Sequence, residues 1–174
     1  MDRRKKYTQQ VIKQALFELL KDQHLSEITV KEICTRADIN RSTFYRNYLD
    51  IYDLFEKIEQ ELREQAFKSK NMFTDRYKLL EVIYDNQDFY REFFHIGVES
   101  EPVRRMMSDL KKQTMLILKK QGNYDEQMFD IEYQFNYYGA VGVIKNWVEQ
   151  GCKKTPRELG DILYTIVDRQ YKNS

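Results

Sequence analysis

Helix-breaking residues are scarce in this chain, which has two prolines and six glycines among 174 residues. Strands joined by tight turns need these residues, whereas long helices avoid them because proline lacks a backbone donor and glycine costs about 1 kcal/mol relative to alanine. Both Pro102 and Pro156 precede sequence with helical spacing and fit the first turn of a helix, where a missing N–H does no harm. The sequence therefore predicts an all-α fold of about nine helices.

Apolar residues recur every three or four positions along the N-terminal third, which is the pattern of helices with one buried face. Thr8 and Asp50 stand where the caps of the first and fourth helices are expected. Cys34 falls on the apolar face of the second helix and is interpreted as a buried structural thiol. The four predicted helices cover about residues 8–22, 30–37, 41–48 and 51–68.

The connection between the second and third of these helices is short. Thr29 and Glu32 form a capping box at the start of the second helix. The break Asp38-Ile39-Asn40 suits a tight turn, because Asp and Asn bond to nearby backbone and tolerate a positive φ. Two short helices joined in this way after a longer supporting helix predict a helix-turn-helix.

Further helical patterns follow without a low-complexity linker, at about residues 75–84, 88–97, 102–120, 125–150 and 156–171. We expect a DNA-binding part over residues 1–50 that continues directly into a second helical part over residues 51–174. The charge is divided in the same way. Ten basic and six acidic residues up to Tyr48 give a net charge of +4, against −3 for the remainder. A basic end on an otherwise acidic chain is typical of a protein that meets nucleic acid through that end alone.

The third helix has the composition of a recognition helix. Phe44 and Tyr48 are spaced to anchor it, and its other positions are polar. Arginine can pair with guanine through two hydrogen bonds, while hydroxyl and amide side chains can hold phosphates. The alternative is an ordinary exposed helix. The polar residues of this helix are Arg41, Ser42, Thr43, Tyr45, Arg46 and Asn47.

The stretch from Ile28 to Tyr48 resembles the DNA-binding segment of the TetR family of bacterial regulators. Its most specific part is Thr43-Phe44-Tyr45 followed by Tyr48, placed one turn after Ala37-Asp38-Ile39-Asn40. The resemblance covers about residues 8–55, and the rest of the chain is similar only in being helical. It implies a homodimer that represses transcription and places two recognition helices in successive major grooves of a pseudopalindromic DNA operator.

The resemblance also implies a role for each matching residue. Thr29 would bind a phosphate, and Arg41 and Ser42 would face bases. Residues Thr43, Tyr45 and Asn47 would bind phosphates or neighbouring base edges, with Arg46 beside them.

Two positions depart from the family pattern. A glycine is usual where Asp38 stands, and Asp can still make the turn. A phosphate-binding lysine is usual where Ile51 stands. The basic run Arg3-Arg4-Lys5-Lys6 is expected either to replace that contact as a flexible arm or to form a solvated tail.

The second part of the chain would then dimerise and enclose an effector. Gly139 and Gly142 would let another helix approach closely, and with Trp147, Leu159, Ile162 and Ile166 they are predicted to form a dimer interface; core packing within one chain is the alternative. The candidate effector pocket comprises Tyr77, Tyr84, Phe89, Phe93, Phe94 and Met106, which fit an ordinary core equally well. The effector itself, a small molecule or a protein partner, stays open.

Other classes of function have less support in the residues. His24 and His95 have no cysteine or carboxylate partners at metal-binding spacing, and no phosphate-binding glycine loop or nucleophile motif occurs, so we expect neither an enzyme nor a cofactor or metal. A TetR-like adaptor or coactivator that acts through a protein partner is the remaining alternative, because the lysine at position 51 is missing. No export signal or membrane-spanning run is found, which together with two isolated cysteines predicts a cytoplasmic protein.

Overall fold

The structure is a computed structural model that describes residues 3–67, 77–96, 108, 111–112, 115–116, 119 and 126–172. Within these residues the secondary structure is entirely helical, as predicted, and the eight helices are numbered here in chain order. They are α1 (Arg3–Leu19), α2 (Val30–Arg36), α3 (Arg41–Tyr45), α4 (Ile51–Phe67), α5 (Lys78–Asp85), α6 (Gln87–Ile96), α7 (Glu126–Glu149) and α8 (Pro156–Lys172). Most of the helix predicted over residues 102–120 lies outside the described residues.

The first helix begins five residues earlier than the sequence predicted. Thr8 is not its cap but lies inside the helix, where its Oγ1 donates to the carbonyl oxygen of Arg4 at 3.0 Å. The basic run at residues 3–6 is therefore the first turn of α1 and not a flexible arm, since arginine and lysine are good helix formers. A short 3₁₀ turn, Leu25–Glu27, which the sequence did not predict, joins α1 to α2.

Three apolar side chains hold the helix-turn-helix on α1. Leu16, Ile33 and Phe44 come from α1, α2 and α3, and all three are fully buried. Phe44 also packs against Tyr48, with ring centroids 5.6 Å apart, so the predicted anchor of the recognition helix is confirmed. Burial of a side chain of this size stabilises a fold by about 1.5–3 kcal/mol.

An aromatic cluster joins this N-terminal unit to the rest of the chain. The rings of Phe55 on α4 and Phe89 on α6 stack with centroids 4.2 Å apart, and Phe17 on α1 lies 5.7 Å from Phe89. One buried apolar cluster therefore extends from α1 to α8 across the boundary expected at residue 50. The division into residues 1–50 and 51–174 stays a prediction.

A polar contact crosses the same boundary beside the aromatic cluster. Nδ1 of His24 lies 2.9 Å from Oε2 of Glu92, and the backbone N–H of Leu25 donates to Oε1 of Glu92 at 3.0 Å. The rings of His24 and His95 stack with centroids 4.7 Å apart. The carboxylate of Glu92 is 9 % exposed, so the segment before α2 is tied to α6 through a nearly buried charge.

The last two helices form a hairpin with a sharply bent corner. Gly151 and Cys152 both adopt a positive φ, 74° and 51°. Trp147 Nε1 donates to the carbonyl oxygen of Lys154 at 2.9 Å across this corner. Thr155 and Glu158 then form a capping box that starts α8. No helix of the described residues is both long enough and apolar enough to span a membrane.

Candidate nucleic-acid interface

The turn between α2 and α3 sets the orientation of the recognition helix. Asp38 has a φ of 51°, in the left-handed region, and its N–H donates to the carbonyl oxygen of Thr35 at 3.4 Å. The N–H of Ile39 donates to the carbonyl oxygen of Cys34 at 3.0 Å. These two bonds are the Schellman arrangement that ends a helix, and glycine or a small polar residue suits its left-handed position. Asp38 therefore makes the turn as predicted.

Asn40 organises the first turn of α3. Its Oδ1 accepts hydrogen bonds from the Thr43 N–H at 2.8 Å, the Thr43 hydroxyl at 2.9 Å and the Ser42 hydroxyl at 2.7 Å. Each hydroxyl has a single hydrogen, and in both Ser42 and Thr43 this hydrogen points to Asn40 Oδ1. Ser42 and Thr43 must rotate before they can donate to a base or a phosphate, although their oxygens still accept.

The exposed face of α3 is made by the longer side chains. Arg41, Ser42, Tyr45 and Arg46 are all exposed, and Tyr45 keeps 56 % of its surface in solvent. Arg46 bonds to its own helix, with Nε donating to the carbonyl oxygen of Ser42 at 3.3 Å. Arg41 makes no hydrogen bond or ion pair with the described residues, so its guanidinium is available for a ligand. Among the residues predicted to face bases, Arg41 is the least committed.

The flanks of α3 carry the residues expected to contact phosphate. Asn47 is half-buried and donates through Nδ2 to the carbonyl oxygen of Thr43 at 2.8 Å, so its amide nitrogen is engaged within the helix. Thr29 caps α2, and its hydroxyl donates to Glu32 Oε2 at 2.6 Å. This hydrogen bond and a second one from the Thr29 backbone lower the pKa of Glu32. A fully charged carboxylate therefore lies beside a residue predicted to bind phosphate.

The isoleucine at position 51, where the family pattern has a lysine, has a structural explanation. Ile51 is 6 % exposed and belongs to the apolar core, so an isoleucine here gains burial where a lysine would extend into solvent. Lys57, two turns further along α4, reaches back so that its Nζ lies 3.3 Å from the carbonyl oxygen of Asn47. The same Nζ donates to Asp53 Oδ2 at 2.8 Å. The sequence analysis missed Lys57, because a lysine four residues after an aspartate is typical of a solvated helix face.

The N-terminal turn of α1 is basic and exposed. It contains Arg3, Arg4, Lys5 and Lys6 and no acidic residue. Four positive charges at the positive end of a helix dipole are unfavourable unless an anion lies nearby. The charge placement suits a polyanionic partner, and the DNA contacts of these four residues stay a prediction.

A second exposed surface runs along α7. Met128, Ile131, Phe135 and Tyr138 are each more than half exposed, and their spacing alternates between three and four residues up to Gly142. An apolar seam of this period is typical of helices that pair with other helices. A Cβ added at Gly139 or at Gly142 would meet no atom within 4 Å. These glycines therefore do not serve a close approach within the described part of the chain.

The other residues predicted for a dimer interface separate into two groups. Ile162 and Ile166 on α8 are exposed, at 43 % and 48 %. Trp147 and Leu159 are instead buried in the core of the chain itself, at 5 % and 4 % exposure. We correct the candidate interface accordingly, because side chains already covered by their own chain offer no surface to a partner.

Three of the residues predicted for an effector pocket lie in the buried core. These are Phe89, Phe93 and Phe94: Phe89 and Phe93 each pack edge to face with Tyr90, and Phe93 packs edge to face with Phe94. Tyr84 stacks on Trp147 with ring centroids 6.2 Å apart. Met106 lies outside the described residues.

Tyr77, the remaining pocket candidate, packs on α8. Its hydroxyl donates to Asp161 Oδ1 at 2.6 Å, and its ring covers Gly160, where an added Cβ would lie 2.6 Å from Cδ1 of the ring. The sequence analysis did not single out Gly160. Its only signal was a glycine inside a helical pattern, which often marks a close contact between helices.

Comparison with known proteins finds a matching family model, a related sequence and similar solved structures. A family model described as the C-terminal region of transcriptional regulators, TetR_C_8, matches residues 70–169. The HTH-type transcriptional regulator YxbF of Bacillus subtilis (strain 168) is 21% identical over 171 residues, which cover 91% of this chain. This chain spans 44% of the length of that relative.

Two solved structures share the fold over nearly their whole length. The dihydroxyacetone kinase operon activator DhaS superposes with a TM-score of 0.73 at 17% identity, over 95% of this chain and 96% of that one. A TetR transcriptional regulator from Streptococcus agalactiae 2603V superposes with a TM-score of 0.68 at 24% identity, over 95% and 96% of the two chains. At these identities the likeness concerns the fold alone.

Proposed function

This chain belongs to the TetR family of transcriptional regulators, and we propose that it is a homodimeric repressor that an effector releases from a pseudopalindromic operator. Members of this family regulate transcription rather than catalyse reactions, and they bind DNA and usually dimerise. The finer parts of the proposal are the choice of residues at the DNA, the form of the dimer and the response to an effector.

The proposal rests on α3, a helix with a buried anchor and exposed polar side chains. This helix is held by the buried ring of Phe44, while Arg41 and Tyr45 are exposed to solvent. The Arg41 guanidinium, which makes no hydrogen bond or ion pair with the described residues, can form the two parallel hydrogen bonds that guanine accepts in the major groove. We assign Arg41 to a base edge, and Tyr45 and Arg46 to phosphates or adjacent bases.

The dimer we propose uses the exposed seam of α7 together with α8. Residues 128, 131, 135 and 138 supply large apolar side chains, and Gly139 and Gly142 leave room for the helix of a second copy. Ile162 and Ile166 extend the apolar surface onto α8. Leaving four such side chains more than half exposed would be costly for a monomer, and each one buried by a partner contributes about 1 kcal/mol or more. Four helices, two from each copy, would form the interface.

The proposal also covers the sign of regulation and the effector. Repression is proposed from the family resemblance, while the structural neighbour DhaS is named as an operon activator, so this fold also serves activation. An effector acts by preferring one arrangement of the helices and shifting the population toward it. The junction of Glu92 with residues 24 and 25 supports such coupling, because it ties α6 to the segment that leads into α2.

The proposal is tested by selecting bound sequences from random duplex DNA and then measuring affinity against salt concentration. We expect an inverted repeat whose half-sites lie about 34–36 Å apart or somewhat more, and an affinity that falls steeply with salt. Retention of random DNA without enrichment would contradict operator recognition. No retention even at low salt would contradict DNA binding as a whole.

A further inference from the structure

A basic cleft lies between α1 and α4, beside the helix-turn-helix. It has a volume of about 640 Å³, and three lysines line it, Lys6 and Lys13 from α1 and Lys57 from α4. Glu61 is the single carboxylate in its lining, so the walls carry a net positive charge. Gln9 and Gln10 add amide groups, which can donate two hydrogen bonds each.

Two of the three lysines of the cleft are held over aromatic rings. The Lys57 ammonium lies 5.3 Å from the ring centroid of Tyr48, and that of Lys13 lies 5.7 Å from the ring centroid of Phe17. Burial raises the pKa of Tyr48 to about 12, with smaller contributions from Glu61 and Asp53, so its phenol stays neutral and does not offset the lysines. Cations held over aromatic rings in this way lose less conformational freedom when a ligand arrives.

The positive charge in the cleft is only partly compensated. Lys13 pairs with Glu61 at 2.9 Å. Lys57 has one N–H directed to Asp53 and one to the carbonyl oxygen of Asn47, and an ammonium has three. Lys6 is exposed and makes no hydrogen bond or ion pair with the described residues. All three ammonium groups thus keep unused donors, and the one carboxylate of the lining is paired with Lys13.

We propose that this cleft binds a phosphate group between Lys6 and Lys57, with the amides of Gln9 and Gln10 as further donors. A phosphate offers several acceptor oxygens around one negative centre, which matches donors that converge from two helices. Lysine binds phosphate as a point charge, so the site requires charge and donors rather than one fixed geometry. Glu61 pairs with Lys13 and offsets its charge, so we place the phosphate against Lys6 and Lys57.

Such a phosphate has two sources, the DNA backbone or a soluble phosphorylated molecule. The first source rests on the proposed function, because Lys57 also contacts Asn47, next to the recognition helix, and Lys6 belongs to the basic turn of α1. The second source does not depend on DNA binding. The volume of the cleft is within the range of small-molecule sites, about 300–1,000 Å³.

The site is tested first without DNA, by titrating the full chain with inorganic phosphate and pyrophosphate and following backbone amide shifts by NMR. We expect saturable shifts at Gln9, Gln10 and Lys57, and their loss in Lys57→Gln and Lys6→Gln. The matched control is Lys145→Gln, which removes an exposed lysine from an i,i+4 ion pair with Glu149, as Lys57→Gln does with Asp53. Shifts that are absent, or that persist unchanged in both cleft variants, would overturn the proposal.

The source is then identified with DNA. If the backbone supplies the phosphate, Lys57→Gln weakens specific and random DNA by the same factor and lowers the slope of log K against log salt by about 0.9, the value for one phosphate contact. If a soluble molecule supplies it, the slope stays unchanged while pyrophosphate still binds the wild-type cleft. Failure of the wild-type chain to bind any DNA contradicts the proposed function but leaves the result of the phosphate titration standing.

Discussion

His24 and Glu92 are 68 positions apart in the chain, yet Nδ1 of the histidine lies 2.9 Å from Oε2 of the glutamate. The same carboxylate accepts the backbone N–H of Leu25, and the His24 ring stacks on His95. A titratable group thus lies at the junction between the helix-turn-helix and α6.

Stability should depend on pH through this junction. The hydrogen bond and the charge of Glu92, with a smaller effect of Glu27, raise the pKa of His24 above 6.5. A raised pKa in the folded state means that the stabilisation is complete below pH 6.5 and is lost as the pH rises through the folded-state value. Denaturant midpoints measured from pH 5 to pH 9 should therefore fall over that interval. Glu92→Gln should flatten the dependence, and an equally steep fall in that variant would contradict the assignment.

Arg41 should determine sequence preference. Arg41→Ala is expected to cost about 1–3 kcal/mol of binding to the selected operator and to relax the preference at one base pair. Arg41→Lys keeps the charge but cannot form the two parallel hydrogen bonds. Compared with Arg41→Ala, it should therefore recover affinity for random DNA but not the preference for the operator. Both would be measured by titrating operator and random duplexes at one salt concentration. Equal losses of Arg41→Ala on the two duplexes would show that Arg41 contacts phosphate only.

Gly142→Leu should dissociate the proposed dimer without unfolding the chain. A Cβ at this position meets nothing within 4 Å in a single copy, so the leucine has room unless a second copy covers the seam. We expect monomers by sedimentation velocity, an unchanged helical circular dichroism spectrum and weaker operator binding. Phe135→Ala should shift the same equilibrium by removing a large apolar side chain. A dimer that persists in both variants would place the interface elsewhere.

Gly160→Ala should destabilise the fold even though alanine is the better helix former. The added Cβ would lie 2.6 Å from the Tyr77 ring, and overpacking of this kind typically costs about 1–3 kcal/mol. Removing the ring should relieve the conflict, so Gly160→Ala introduced into a Tyr77→Ala background should be neutral or gain up to about 1 kcal/mol. Urea unfolding of the four proteins in this cycle measures the coupling. Additive effects of the two substitutions would mean that the ring and the glycine do not interact.

The sequence predicted best what short-range rules control. The cap at Thr29, the left-handed turn at Asp38 and the anchor at Phe44 depend on residues within a few positions of each other, and the structure has all three. The end of α3 was wrong by three residues. After Tyr45 the Asn47 N–H donates to the carbonyl oxygen of Phe44, three residues back, which is the 3₁₀-type bond that tightens the end of a helix.

What the sequence missed depends on contacts between distant residues. The periodicity of Phe89 and Phe93 is the same for a ligand pocket as for a core, and it does not indicate that Phe89 stacks on Phe55. Likewise, nothing near His24 in the chain indicates that Glu92 will accept its hydrogen bond. The spacing of Lys57 from Asp53 indicates a surface ion pair, and only the fold shows that its ammonium also lies near the carbonyl oxygen of Asn47. Tertiary packing, rather than local pattern, places these groups.

The corner between α7 and α8 has a consequence for the choice of partner. Two consecutive residues with positive φ and the bond from Trp147 to Lys154 shape the corner at which the chain passes from α7 into α8. In the proposed dimer, each copy presents the apolar seam of α7 next to this corner. A related regulator with a different corner would meet the seam at the wrong inclination, even if its side chains were equally apolar. In the proposed dimer, the geometry of this bend would therefore contribute to the choice of partner, beside the apolar character of the seam.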